Sequence, residues 1–265
     1  MKKFWFTLTA LVATCFLVAC SGSQGVNPKT VKENKKIVVA TESEFAPFEF
    51  KSLVNGKDTL VGADIELAKA IGKKLGVKVE FSVMSFDNVL ASVQSGKADI
   101  AIAGISVTDE RKKVYDFSDS YYTSENVVIV KKDKVNDFTS ADSLAKQTVG
   151  TQKGSVQETV AKKQIPKASV VSLASNGEMI NELKSGQIQA VVLEKAIAEG
   201  YIAQNDDLTL ASFNLKSDGS DAYAVAIRKG SDDLLKEINA VIKETKESGK
   251  FDQWLKEASS YKQSK

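Results

Sequence analysis

An α/β fold in two lobes is what this chain predicts, and three observations carry the prediction. Short apolar, β-branched runs alternate with helical segments from about residue 37 to 103, as strands of a largely parallel sheet do. A second series of the same kind runs from about 148 to 193. The two series also share a local pattern: Leu90-Ala-Ser-Val-Gln-Ser-Gly-Lys-Ala-Asp-Ile-Ala-Ile and Ile180-Asn-Glu-Leu-Lys-Ser-Gly-Gln-Ile-Gln-Ala-Val-Val each set a helix ending in Gly before a strand. Superposing the Ser-Gly pairs puts Gly104 opposite Glu194, both just past the carboxyl end of a strand, where ligands bind in open α/β sheets. Helix, glycine cap and strand also recur in α/β proteins generally, so duplication and simple recurrence both explain the match.

The elements follow in chain order. Met1-Lys2-Lys3 and the apolar run 4–19 have the positive head and short hydrophobic stretch of an export signal, shorter than the roughly 20 apolar residues of a membrane helix. The run ends in Leu17-Val18-Ala19-Cys20, similar to a bacterial lipobox, in which the cysteine takes a diacylglycerol. This predicts a signal peptide over 1–19 and a lipid anchor on Cys20, against the alternative of an ordinary secretory signal with a chance cysteine. Residues 20–35 are mostly polar and lack apolar periodicity, so they read as a flexible tether with a coil dimension of roughly 20 Å.

Strands are then expected over 37–41, 77–83 and 99–103, with helices over 64–75 and 87–95. The second series predicts strands over 148–151, 169–173 and 190–193, with helices over 155–165 and 176–185. A strand over 223–227 follows. Leu234, Ile238, Val241 and Ile242 have helical spacing within 231–246, and a shorter helix around Phe251, Trp254 and Leu255 closes the chain, with Trp254 read as a core anchor.

Composition narrows the function. Cys15 and Cys20 are the only cysteines, so the chain after the signal has no disulfide and relies on its apolar core. Removing residues 1–19 leaves 34 basic against 34 acidic residues, and a neutral chain offers no basic footprint for nucleic acid. Histidine is absent, which removes the commonest general base and metal ligand. Nothing in the sequence calls for a cofactor or a metal.

Three stretches are distinctive together: Ala103-Gly-Ile-Ser-Val-Thr-Asp-Glu-Arg-Lys-Lys-Val-Tyr-Asp-Phe-Ser-Asp-Ser-Tyr-Tyr, Thr41-Glu-Ser-Glu-Phe-Ala-Pro-Phe-Glu-Phe and Val61-Gly-Ala-Asp-Ile-Glu-Leu-Ala. Through them, residues 36–254 resemble the family 3 solute-binding proteins, the polar amino-acid-binding components of bacterial ABC importers. The resemblance implies a type II periplasmic-binding-protein-like clamp of two Rossmann-like lobes joined by two hinge strands. It places lobe one at 36–120 plus 222–265, lobe two at 126–217, and hinges at 121–125 and 218–221. It also implies a free L-amino acid as ligand and an ABC permease with its ATPase as partner; the lipobox-like stretch adds the outer face of the cell membrane, and a neutral clamp on a tether, with no obvious need of self-association, is expected as a monomer.

A free amino acid carries a carboxylate and an ammonium, so its pocket needs donors at one end and an acid at the other. The planar fork of Arg111 suits a carboxylate, and Thr108-Asp-Glu-Arg reads as a helix start that would fix its stem. The family's carboxylate-binding arginine matches this position; without the motif Arg111 reads as a surface arginine. Ser106 offers a hydroxyl and a backbone donor, and Gly104 lets a ligand approach the main chain. Gly154-Ser155 opens a helix whose free N–H groups suit an anion, and Ser155 matches the residue completing the carboxylate cradle, or serves simply as an N-cap.

The remaining assignments rest on the resemblance. Glu194 aligns with the acid for the ligand's ammonium, although the family often has aspartate there. Phe45 and Phe86 match two aromatic walls. Glu42 matches a side-chain-contacting acid, which favours arginine, then lysine, ornithine or histidine. The stretch around Arg111 also resembles the glutamine-binding branch, whose lysine and histidine contacts would fall at Gly150 and Leu193; these two departures weaken glutamine and leave it open. Two other functions stay in view, a dehydratase-like enzyme using Glu42 and Glu194, and a surface sensor or adhesion module.

Overall fold

A computed structural model describes residues 25–217 and 219–263; the signal peptide and Cys20 fall outside these. The first element among the described residues is helix α1 (Pro28–Glu33), capped by Asn27, whose side chain accepts from the Lys29 N–H. This corrects the flexible tether expected over 20–35 as far as residues 25–35 go, residues 20–24 lying outside the described residues. From Gly25 onward that stretch is folded onto the body, with Val26 and Val31 buried and the Val26 N–H donating to Ser231 Oγ at 2.7 Å. Two apolar side chains in a polar tract are enough to dock it, since burying each removes its surface from water.

Strand β1 (Lys36–Thr41) leads into a three-stranded antiparallel flap of β2 (Glu44–Phe45), β3 (Glu49–Val54) and β4 (Lys57–Val61). Helix α2 (Ala63–Leu75) ends at a left-handed Gly76. Then come β5 (Lys78–Val83), α3 (Phe86–Gln94), β6 (Ile100–Ala101), the single turn α4 (Asp109–Lys112) and β7 (Tyr115–Phe117). Strand β6 is shorter than the expected 99–103, because the chain leaves the sheet to reach Gly104, whose φ is +52°.

The short strand β8 (Tyr122–Thr123) carries the chain to β9 (Asn126–Lys131), after which β10 (Thr148–Gln152), α5 (Val156–Gln164), β11 (Ser169–Leu173), α6 (Asn176–Ser185), β12 (Ala190–Glu194), α7 (Lys195–Ile202) and β13 (Leu208–Leu210) follow. The return runs through β14 (Ala222–Tyr223) to β15 (Ala226–Arg228), and α8 (Asp232–Glu247) and α9 (Lys250–Ala258) pack back on the first lobe.

The sheets are ordered β5-β1-β6-β15-β7 and β11-β10-β12-β9-β13. In each, the first three strands are parallel, the fourth runs antiparallel to them, and the fifth is antiparallel to the fourth and so runs with the first three. Strands β6 and β12, the two halves of the internal sequence match, therefore occupy the same place in their sheets. The carboxyl ends of β1 and β10 are equivalent in the same way. Where the chain crosses between sheets, β8 and β14 pair antiparallel, and Tyr223 packs edge-on against Phe48 at 5.4 Å and tilted against Tyr122 at 5.5 Å between ring centroids. Parallel strands of this kind are covered on both faces, and the buried neighbours Val39 and Ala40 of β1, Ile100 and Ala101 of β6, and Ala190 and Val191 of β12, which point to opposite faces, follow that rule.

Candidate functional site

The carboxyl ends of the two sheets face each other across a cleft, and most of the expected side chains meet there. Glu42, immediately after β1, is buried. Its Oε2 accepts from Gln152 Nε2, at the end of β10 in the other lobe, at 2.9 Å, while Oε1 has no hydrogen-bond partner. Burial pushes the Glu42 carboxyl up to about 8; the Gln152 hydrogen bond opposes the rise, and the charges of Glu44 and Glu194 add to it.

Arg111 sits on α4, which Thr108 caps by accepting from the Arg111 N–H at 3.1 Å, as the helix-start reading expects. Its guanidinium donates Nη1–H to the Ser106 carbonyl at 2.8 Å and Nη2–H to the Gly154 carbonyl of the opposite lobe at 3.1 Å. Two of its five donors are thus held by main-chain carbonyls that aim the fork. The Phe86 ring lies 5.8 Å from Arg111 Cζ, within cation–π range, so this aromatic packs on the arginine. Burial lowers the Arg111 pKa to about 10, against the attraction of Glu194.

Glu194 closes β12 and precedes α7 without capping it. It is buried, accepts from Gln157 Nε2 at 2.8 Å, and is raised to about 7 by burial, with Gln157 and Arg111 among the groups opposing the rise. Ser155 caps α5 by accepting from the Glu158 N–H, so the N-cap reading holds and its hydroxyl stands at the first turn of that helix. Gly104 donates its N–H to Asp64 Oδ2 at 3.0 Å. A side chain there would bring Cβ to 2.4 Å from Phe45 Cε1, so the glycine lets the Phe45 ring approach the main chain closely. Ser106 is buried and bridges to Tyr223.

Some participants were not anticipated. Gln152 and Gln157 reach the two acids, and Gln157 also donates to Asn126 Oδ1 at 2.8 Å. Beneath Gly104, Asp64 accepts from the Tyr121 hydroxyl at 2.8 Å; burial lifts Asp64 to about 6 and its buried neighbour Glu49 well above the usual range. The equivalence of β1 and β10 would have singled out Gln152, which stands at the end of β10 much as Glu42 follows β1. Gly150 and Leu193 turn to apolar packing: a Cβ on Gly150 would meet Ile188 at 2.7 Å, and Leu193 belongs to the core.

Residues 37–258 match the family described as bacterial extracellular solute-binding proteins, family 3. The chain belongs to that family. It is 34% identical to the arginine-binding extracellular protein ArtP of Bacillus subtilis over 261 residues, 97% of each chain. It is 32% identical to the ABC transporter glutamine-binding protein GlnH of the same organism, covering 97% of this chain and 98% of the relative. A crystal structure of the amino acid ABC transporter substrate-binding protein AbpA from Streptococcus pneumoniae, bound to L-arginine, superposes with a TM-score of 0.86 at 49% identity, covering 89% of this chain and all of that one.

The fold is thus that of the type II solute-binding clamps, and the protein is an amino-acid-binding component of an ABC transporter rather than an enzyme. Among the described residues no helix is long and apolar enough to cross a membrane.

Proposed function

We propose that the protein captures L-arginine outside the cell and delivers it to an ABC permease, held at the membrane by a lipid on Cys20. Glu42, Phe45, Phe86, Gly104, Ser106, Arg111, Ser155 and Glu194 form the ligand site, and the lobes hinge about 121–125 and 218–221. Arg111 grips the carboxylate, Glu194 takes the ammonium, and Glu42 takes the side chain.

The observation that carries the choice of arginine is the Glu42 carboxylate, buried with Oε1 unpartnered. A buried carboxylate is costly unless paired, and a guanidinium supplies both the opposite charge and matching donors. Charge balance agrees. Glu42 and Glu194 together outweigh Arg111 by one negative charge when ionised, and arginine brings one net positive charge where glutamine brings none. Similarity to ArtP and to the arginine-bound AbpA structure supports the same reading; lysine and ornithine come next, since an ammonium is a point charge without the planar fork.

Calorimetric titration of the ligand-stripped protein against each free amino acid tests the proposal. Tightest binding of arginine is expected; tightest binding of glutamine would reject the role of Glu42, and no binding at all would reject amino-acid capture. Loss of arginine uptake on deleting the gene is the expected sign of permease delivery, and release of a Cys20→Ala protein from the membrane fraction that of the anchor.

A further inference from the structure

Two residues beyond Glu42, Glu44 also reaches the opposite lobe, but outside the ligand site. Its Oε2 accepts from the Gly177 N–H, in the first turn of the ten-residue α6, at 3.0 Å. Its main-chain carbonyl accepts from the Tyr201 hydroxyl of α7 at 3.2 Å and from Asn176 Nδ2 at 3.5 Å. The first N–H groups of a helix have no partner within it. Ser175 takes that of Glu178, and Glu44 takes that of Gly177 from across the cleft, placing a carboxylate at the positive end of the helix.

A second segment of lobe one joins this contact. Gln263 pairs with Ser52 of β3, and its Nε2 donates to the same Tyr201 hydroxyl at 3.4 Å. One tyrosine of lobe two is therefore held between two stretches of lobe one. Glu44, Tyr201 and Gln263 line one cleft of about 830 Å³ that includes none of Glu42, Arg111 or Glu194.

We propose that Glu44, Tyr201 and Gln263 form a closure clasp that positions the two lobes and sets how long a captured amino acid is retained, without touching it. The proposal rests on the arginine-capture reading for its kinetic consequence. Because the clasp is made only when the lobes are together, it slows opening and leaves encounter with the ligand alone, so it acts on the dissociation rate, where affinity differences commonly lie.

The test is stopped-flow binding of arginine to the wild type, Glu44→Ala and Tyr201→Phe, with a spin label on each lobe reporting the closed population. Tyr201→Phe leaves every charge in place and keeps the ring, so it is the variant expected to fold without difficulty. In both variants koff is expected to rise about tenfold, the order of one hydrogen bond, with kon unchanged. For Tyr201→Phe the ranking of arginine, lysine and glutamine should stay as in the wild type. Unchanged koff in both variants, or an altered ranking in Tyr201→Phe, overturns the clasp. If the wild type binds no amino acid, the function reading falls instead, and the label distances decide the clasp separately: a smaller closed population in the variants upholds it and an unchanged one overturns it.

Discussion

Gln152 donates its side-chain N–H to Glu42 across the cleft at 2.9 Å, joining the ends of the equivalent strands of the two lobes. The bond occupies one carboxylate oxygen, and the other has no hydrogen-bond partner. In the arginine-capture reading proposed above, an acid held in this way selects by charge.

Replacing Glu42 by Gln should therefore change which amino acid is bound more than whether one is bound. Removing one member of a buried charge pair typically costs about 2 to 5 kcal/mol, so arginine affinity should fall by that amount in Glu42→Gln while glutamine affinity holds or improves. Competition titrations of the two ligands measure the ratio directly. An unchanged ratio would remove Glu42 from the side-chain end of the pocket.

The raised carboxyls predict a pH dependence with a definite sign. Glu42 at about 8 is mostly protonated and Glu194 at about 7 partly protonated at neutral pH without ligand, and a bound cation favours their ionised forms. Binding should release protons, and arginine affinity should rise with pH until it levels off above about 8. The ligand-free fold should respond in the opposite sense. An acid whose folded pKa exceeds its unfolded value binds more protons when folded, so its contribution to stability is full below the unfolded pKa and is lost as pH rises through the folded one. Enthalpies of binding in buffers of different ionisation heat, and melting of wild type and Glu42→Gln between pH 5 and 9, read both effects; flat profiles in the wild type would contradict the assignment.

Arg111→Met should weaken every amino acid alike, because the carboxylate is common to all of them. A loss of about 2 to 5 kcal/mol is expected for the same charge-pair reason. Titration with arginine, lysine and glutamine distinguishes this uniform loss from the selective loss at Glu42, and unaltered affinity for all three would take Arg111 out of the site.

Gly104→Ala tests the packing beneath the ligand. Its φ of +52° disfavours any side chain by roughly 1 to 2 kcal/mol, and a Cβ at 2.4 Å from the buried Phe45 ring forces a shift, adding about 1 to 3 kcal/mol of overpacking. Urea unfolding should show a lower midpoint, and arginine binding should weaken as Phe45 moves; an unchanged midpoint would mean that the loop relaxes freely.

Much of the fold was legible because its signals are local. Helix periodicity set α8, and the Thr108 cap predicted α4 and the stem of Arg111. The docked α1 was missed because Val26 and Val31 are isolated among polar residues, too few to form a periodic face; Val26 is fixed by Ser231, 205 positions later.

By itself, then, the sequence determined the alternation of strands and helices, the repeat of one pattern in two halves, and the nearly neutral, histidine-free chemistry that argues against catalysis. All of these depend on residues within a turn or two of each other or on composition. Only the tertiary structure decided which polar groups meet. Glu42 and Gln152 are 110 positions apart, and Glu44 and Gly177 are 133 apart; each pair forms only because two separately built sheets turn their carboxyl ends toward one cleft. A glutamine at a strand end carries no local mark of its partner, since a hydrogen bond between side chains is specified by the geometry of closure and not by spacing along the chain.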